Sequence, residues 1–239
     1  MKKATYILIV LLSVSPSFAQ GPQGNSSNLP SGSNGFGGGS NNYMNFVKGE
    51  WVKNKTKTAI DGSFYLYDDW TNLAQIFDFN NKGYKLLNCN FNIKLNRIEA
   101  KLEDGNKNIY AFNSKDISKF YIKNTTFVSK DIDLGVSQLL EVIYESDKLS
   151  LYKAYVSKIK YASVNPMTQR KIGKDRVVIN NVLYIEKGGE LKEIKLKKST
   201  ILKLLSNKKG LVKKHIKKNN LLINKQTDLI NIFNYYNSL

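Results

Sequence analysis

Leu139 to Tyr155 reads LLEVIYESDKLSLYKAY. Two runs rich in β-branched and aromatic residues flank Ser146, Asp147 and Lys148, a connection short enough to fold two strands back antiparallel as a hairpin. Working outward, the same signature recurs from Asn45 to about Leu196. Upstream lie FYLYDDW, AQIFDF before NNKG, YKLLNCNFNI, RIEAKLE before DGN, NIYAF, KFYIK and TTFVSK. Downstream, after a polar loop NPMTQRKIGKD (Asn165 to Asp175), come RVVINNVLYIEK, a Gly-Gly turn and ELKEIKL. Short turns without helical periodicity predict an antiparallel sheet of roughly eight to eleven strands.

From Ser199 the period changes. In LVKKHIKK, Leu211 to Lys218, the residues Leu211, Val212, His215 and Ile216 fall on one arc of about 140° and four lysines on the opposite arc. Ser199 is available to cap a preceding turn carrying Ile201, Leu202, Leu204 and Leu205, with Gly210 as a breaker. DLINIFNYYN places Leu229, Ile232, Phe233 and Tyr236 on one stripe, with Asn224 or Thr227 as a cap. Helices this short are marginal alone, so their apolar faces must dock. The expected fold is α+β and mainly β: a large antiparallel sheet, as a sandwich or half-barrel, carrying a short C-terminal helical unit.

The N-terminus reads MKKATYILIVLLSVSPSFAQ. Two lysines, an apolar run and a small-x-small ending predict a signal peptide over residues 1–19, cleaved after Ala19. That run is too short for a spanning helix, which needs roughly 20 residues, and no later segment predicts a transmembrane helix. Residues 20–44 are rich in Gly, Ser and Asn, with no charge from Gln20 to Asn42, the composition of a flexible linker. An antiparallel β domain is expected over 45–196, and a basic helical unit packed on the sheet over 197–239.

Charge is polarised. Of the formal net +18, Lys195 to Lys225 contributes 11 lysines and no acid. Lys208, Lys209, Lys213, Lys214, Lys217 and Lys218 are the candidate anion-binding residues. For an exported chain the expected partners are lipid head groups, lipopolysaccharide or acidic polysaccharide, or another envelope protein, and not nucleic acid.

Candidate chemistry is sparse. Cys89 is the sole cysteine and His215 the sole histidine. Neither has a partner at metal-ligand or catalytic spacing, so both read as structural, and neither a metal nor a cofactor is expected. In GYKLLNCNFNI, strict alternation would put Leu87, Cys89, Phe91 and Ile93 on one side. Asp131 and Asp133 in KDIDLG read as a solvated turn. The densest constellation is GSFYLYDDW, Gly62 to Trp70, where Tyr65, Tyr67, Asp68, Asp69 and Trp70 are the candidate ligand-binding residues. Strand geometry would put Tyr65 and Tyr67 on a common face as an aromatic platform. Asp68 or Asp69 beside Trp70 would serve a carbohydrate-active or peptidoglycan-directed hydrolase, given a second carboxylate roughly 5 to 10 Å away. An amphiphile carrier would need a large apolar cavity within the sheet.

The signal and linker, GSFYLYDDW, LLEVIYESDKLSLYKAY and the terminal DLINIFNYYNSL after a lysine-rich helix together resemble a type of exported protein of Bacteroidota. That resemblance implies envelope localisation, periplasmic or extracellular, and no activity. The expectation is therefore a non-enzymatic binding or scaffold module with a basic C-terminal face.

Overall fold

The computed structural model describes residues 48–53, 60–101, 108–133 and 135–239. The expected signal peptide and linker lie outside the described residues. The strands are β1 (Gly49–Lys53), β2 (Asn72–Phe77), β3 (Gly83–Asn92), β4 (Arg97–Ala100), β5 (Asn108–Phe112), β6 (Lys119–Ile122), β7 (Thr125–Asp133), β8 (Val136–Tyr144), β9 (Ser150–Lys160), β10 (Ser163–Val164), β11 (Lys171–Ile172), β12 (Arg176–Lys187) and β13 (Glu190–Ile194). Eleven of them form one antiparallel sheet in the order β1-β5-β4-β3-β2-β6-β7-β8-β9-β12-β13. β10 and β11 pair separately, β10 just ahead of what the sequence presents as a polar loop and β11 within it.

The hairpin on which the sequence reading turns is β8–β9, with Glu141 opposite Lys153 and Val142 opposite Tyr152. Ser146 closes its connection by donating its hydroxyl to the Leu149 carbonyl at 2.9 Å. Asp131 and Asp133 belong to β7 and not to a turn; a register shift between them ends the regular ladder.

The sheet curls on itself. Asn96, in the turn after β3, donates to the Leu139 carbonyl of β8 at 3.2 Å and accepts from the Leu139 N–H at 2.8 Å, although β8 is the fourth strand beyond β3 in the sheet. Inside this curl lies the main core, including Ile76, Cys89, Phe91, Ile98, Phe120, Ile122 and Phe127, all with no exposed surface. Phe120 stacks on Phe127 with centroids 4.6 Å apart and planes 2° from parallel, and Phe91 fills the space beside both. Burial of each such ring stabilises the fold by about 2–3 kcal/mol.

Strict alternation fails in β3. Asn88 sits at φ 56°, the left-handed region that asparagine tolerates better than most residues. The ladder to β2 shifts there, pairing Leu86 with Ala74 and Cys89 with Asn72. One residue too many is thereby absorbed as a bulge. Leu86 and Cys89 both enter the core, while Leu87 is turned out and 60% exposed. Burial pushes the Cys89 thiol up to about 12, which keeps it protonated and unreactive at neutral pH.

A second core joins the sheet to the C-terminal helices α1 (Lys198–Leu204), α2 (Lys209–Lys218) and α3 (Gln226–Ser238). Tyr144, Leu149, Leu151 and Ile185 from the sheet meet Ile201, Leu205, Val212, Ile216 and the buried stripe Leu229, Ile232, Phe233 and Tyr236. The capping expectations need correction. Ser199 lies inside α1, whose N-cap is Lys197. Lys225, and neither Asn224 nor Thr227, occupies the N-cap of α3, without a side-chain bond. Asp228 instead accepts the Leu222 N–H at 3.0 Å, placing an acid in the first turn of α3 where the helix dipole favours it. A short 3-10 turn over Ser206–Lys208 separates α1 from α2, while Gly210 lies within α2.

Candidate functional site

GSFYLYDDW is not a regular strand; it is a strap laid across the curled sheet. It is anchored first at its leading edge, where Asp61 N–H donates to the Asp175 carbonyl and Val177 N–H to the Asp61 carbonyl, each at 2.8 Å. Three and five residues on, Phe64 and Leu66 bond to the end of β3 and the residue after it, through Ile93 N–H to Phe64 O at 2.8 Å and Leu66 N–H to Phe91 O at 3.0 Å. The strap thus links β12 to β3, two strands far apart in the sheet order.

Asparagine side chains hold the next stretch where the backbone ladder ends. Asn90, fully buried, accepts from Tyr67 N–H at 3.2 Å and donates to the carbonyls of Tyr67 at 2.8 Å and Asp69 at 3.0 Å. Asn72 adds bonds to the carbonyls of Asp69 at 2.8 Å and Cys89 at 3.0 Å. A side-chain amide carries the same donor and acceptor as a peptide, so these residues substitute for missing strand partners.

The bending separates Tyr65 from Tyr67, and the shared aromatic face does not form. Tyr67 packs on the main core, with Lys123 Nζ 4.7 Å from its ring centroid. Tyr65 donates its hydroxyl to Glu99 Oε2 at 2.7 Å. Glu99 is 1% exposed and also accepts from Asn92 Nδ2 at 3.1 Å and Arg97 Nε at 2.7 Å; Arg97 reaches on to Glu50 at 3.1 Å. Trp70 closes over Tyr65 edge-on, with centroids 4.8 Å apart, and Lys101 Nζ lies 4.4 Å from the Trp70 centroid.

Asp68 and Asp69 are exposed on the bend. Asp69 Oδ1 accepts from the hydroxyl of Thr71 at 2.9 Å and its N–H at 3.1 Å, while Oδ2 pairs with Lys123 at 3.2 Å. The Thr71 hydroxyl, followed by Lys123, holds the Asp69 carboxyl below its ordinary range. This is the arrangement of a turn cap, with both oxygens occupied.

The Tyr65–Glu99–Arg97 grouping has two counterparts. Glu141, 9% exposed, accepts a short hydrogen bond from the Tyr155 hydroxyl and pairs with Lys153 at 2.7 Å. On the opposite face, Glu186 accepts from the Tyr152 hydroxyl and from Lys130, both at 2.7 Å. The Lys130 hydrogen bond, helped by that of Tyr152, holds the Glu186 carboxyl low. In each trio a carboxylate, buried in Glu99 and Glu141 and half-buried in Glu186, receives a phenol and a cation, which satisfies its lone pairs and neutralises its charge. These glutamates escape a motif search, although each interrupts an apolar strand run, as in RIEA, LLEVIY and LYIEK.

Burial first, and then the glutamate hydrogen bond, raises the phenols of Tyr65, Tyr152 and Tyr155 above the ordinary tyrosine value. A raised folded-state value favours the protonated fold. The associated stability is complete below the unfolded value, about 10, and is lost as pH climbs from there through the folded values. We expect these phenols to remain protonated until the chain unfolds at alkaline pH, giving a cooperative step in phenolate absorbance that coincides with loss of circular dichroism. A smooth titration of all 14 tyrosines before unfolding would contradict it.

Beside β1, a groove of about 490 Å³ is lined by residues including Lys48, Glu50, Leu95, Arg97, Phe112 and Ser114. Its walls mix charge with apolar surface and reach the main core only at Phe112, unlike the large apolar cavity that an amphiphile carrier requires. Among the described residues no cluster of three or more His, Cys, Asp and Glu is arranged to hold a metal ion.

The lysine face is the other candidate. Val212 and Ile216 of α2 are buried at 0% and 3% exposure, fixing the helix by one arc. Lys209, Lys213, Lys214, Lys217 and Lys218 are exposed and Lys208 is half-buried. Among the described residues none of the six has an ion-pair partner. His215 stacks on Tyr235 with centroids 4.0 Å apart and lies 2.9 Å from Asn231 Oδ1 and 3.2 Å from Asn219 Nδ2. Its ring is held between α2 and α3, a structural placement. Comparison with protein-family models, with curated proteins and with solved structures gives no match in any of the three.

Proposed function

We propose that this chain is an exported cell-envelope protein that works by binding, without catalysis, and that the outer face of α2 is its contact for anionic envelope components such as lipopolysaccharide or acidic polysaccharide. The observation that carries this reading is the pair of arcs on α2. Of the apolar arc Val212 and Ile216 are locked into the second core, whereas Leu211, expected to dock with them, is 45% exposed; the other arc presents lysines with no acidic partner among the described residues. Such lysines gain more from an external polyanion than paired ones do, because no internal contact must be broken. The strap supports the non-catalytic part of the reading, since Asp69 is committed to Thr71 and Lys123.

Replacing Lys213, Lys214, Lys217 and Lys218 by Glu should leave the fold intact, because all four are exposed. Near an anionic surface each lysine contributes about 1 kcal/mol. Binding to lipopolysaccharide and to an acidic polysaccharide should accordingly fall by at least about a thousandfold at low salt. The parent should lose affinity steadily as salt rises. Equal binding by parent and variant would sink the proposal.

A further inference from the structure

The β9–β12 hairpin runs past the strap and ends in an unusual tip. Beyond the last paired residues, Lys160 and Arg176, the chain turns through β10 and β11 and exposes four large apolar side chains. Tyr161 is 71% exposed, Val164 53%, Met167 92% and Ile172 62%. Their placement is not that of a patch for a flat partner. Ser163 pairs with Ile172 and Val164 with Lys171, so Ile172 and Val164 point to opposite faces of the small ribbon, and Met167 stands in the turn between them.

The turn has a second property. Asn165 N–H donates to the Arg170 carbonyl at 2.9 Å and Gln169 N–H to the Asn165 carbonyl at 2.8 Å. The Asn165 side chain accepts from the N–H groups of Met167 at 2.8 Å and Thr168 at 3.2 Å, and Pro166 has no N–H. Every backbone donor from Asn165 to Gln169 is therefore satisfied within the turn or absent. Water does not require this of an exposed turn, whereas an apolar medium does.

Third, the tip wears a basic collar. Lys158, Lys160, Arg170, Lys171, Lys174 and Arg176 lie in it or beside it along the chain, against a single acid in that stretch, Asp175. Lys171 pairs with Asp175 and Lys174 with Asp61, leaving four cations without an ion pair among the described residues. Lys160 and Arg176 stand directly opposite each other in the ladder, a like-charge pairing that costs stability, with Asp61 bridged to Arg176 on its other side.

We propose that this tip inserts into the interfacial layer of a phospholipid bilayer bearing anionic head groups. Tyr161, Val164, Met167 and Ile172 enter the head-group and acyl boundary, and the collar meets the phosphates. Apolar surface on both faces, self-satisfied turn donors and a cationic ring are together what a medium surrounding the tip selects. Among the described residues no helix is long and apolar enough to cross a membrane, and this contact does not need one.

The test uses the full chain with Met167→Cys carrying an environment-sensitive fluorophore; Cys89 is buried and stays unlabelled in the folded protein. Phosphatidylcholine vesicles containing phosphatidylglycerol should shift the emission to the blue and allow quenching by lipids brominated near the head group. Vesicles of phosphatidylcholine alone should produce a much smaller response. Met167→Asp with Ile172→Ser should weaken co-sedimentation with the anionic vesicles by about tenfold or more, with unchanged circular dichroism. The label should still shift when the four α2 lysines are replaced, which separates this contact from the one proposed for that helix. An unshifted label in the presence of anionic vesicles overturns the proposal. So does a blue shift that follows protein concentration without vesicles, which would mark the tip as a contact between copies of the chain.

Discussion

Phe127→Ala should lower stability by about 3–5 kcal/mol, the range for truncating a buried aromatic ring. Phe127 has no exposed surface, and it stacks on Phe120, lies 4.9 Å from Phe91 and touches Tyr155. The ring therefore supports both faces of the curl, and its loss leaves a cavity bounded by strands β3, β6, β7 and β9. Hydrogen-bonded strands cannot move individually to fill it, so the cost belongs in the upper part of that range. Urea unfolding measures it as a lower midpoint at unchanged slope. Phe127→Leu, which keeps most of the volume, should lose markedly less. An alanine variant within about 1 kcal/mol of the parent would show that the core is loosely filled.

Glu99→Ala should cost about 3–5 kcal/mol for a different reason. Truncation leaves Arg97, in a partly buried site, with only the exposed Glu50 as a partner, and leaves the Tyr65 hydroxyl and Asn92 amide without their acceptor, the usual penalty for breaking a buried pair from one side. Replacing Glu99 and Arg97 together, by Leu and Met, should recover a substantial part of the loss, because neither charge then remains buried. The effect has a local signature as well. Tyr65 and Trp70 pack edge to face on this carboxylate's side of the strap, so release of the strap should move the tryptophan emission to longer wavelength in Glu99→Ala before global unfolding. Additive losses for the two single variants, with an unmoved emission, would mean that the strap is held by its backbone and asparagine bonds without the carboxylate.

Much of the architecture is legible in the sequence because strand and helix periods are local properties. The β8–β9 hairpin follows from three turn residues between two apolar runs, and the stripe Leu229, Ile232, Phe233 and Tyr236 follows from helical spacing. The stripe is buried where its periodicity puts it, and the hairpin forms as expected, with a bulge between Val142 and Tyr144 that its alternation does not show. Local pattern fails where one residue departs from the regular backbone. Asn88 in a left-handed conformation inverts the expected direction of Leu87, and nothing in the letters KLLNCNFN distinguishes a bulge from continuous alternation.

The strap fails for a related reason. Its composition suits a strand, but β3 is already paired with β2 through Cys89, and only the end of β3 is open to Phe64 and Leu66. The remaining strap bonds come from Asn72 and Asn90, which read as the polar side of a strand until the sheet curls over them. The trios are less legible still. Tyr65 and Glu99 are 34 residues apart, as are Tyr152 and Glu186. Sheet register, and for Tyr65 the course of the strap, brings such residues together, although a glutamate inside an apolar strand run is a local sign that a partner is needed.

The ladder between β9 and β12 has a further consequence. It starts with Ser150 opposite Glu186, beside the helix-bearing core, and continues without interruption to Lys160 opposite Arg176. Eleven successive pairs at roughly 3.3 Å each make a stiff rod about 33 Å long, with α2 gathered near one end and the apolar turn at the other. Electrostatic influence decays over about 8–10 Å at physiological salt, so charges at the two ends of the upright rod act independently. Under the two proposals above, the contact at α2 and the contact at the tip should therefore each respond to salt on its own.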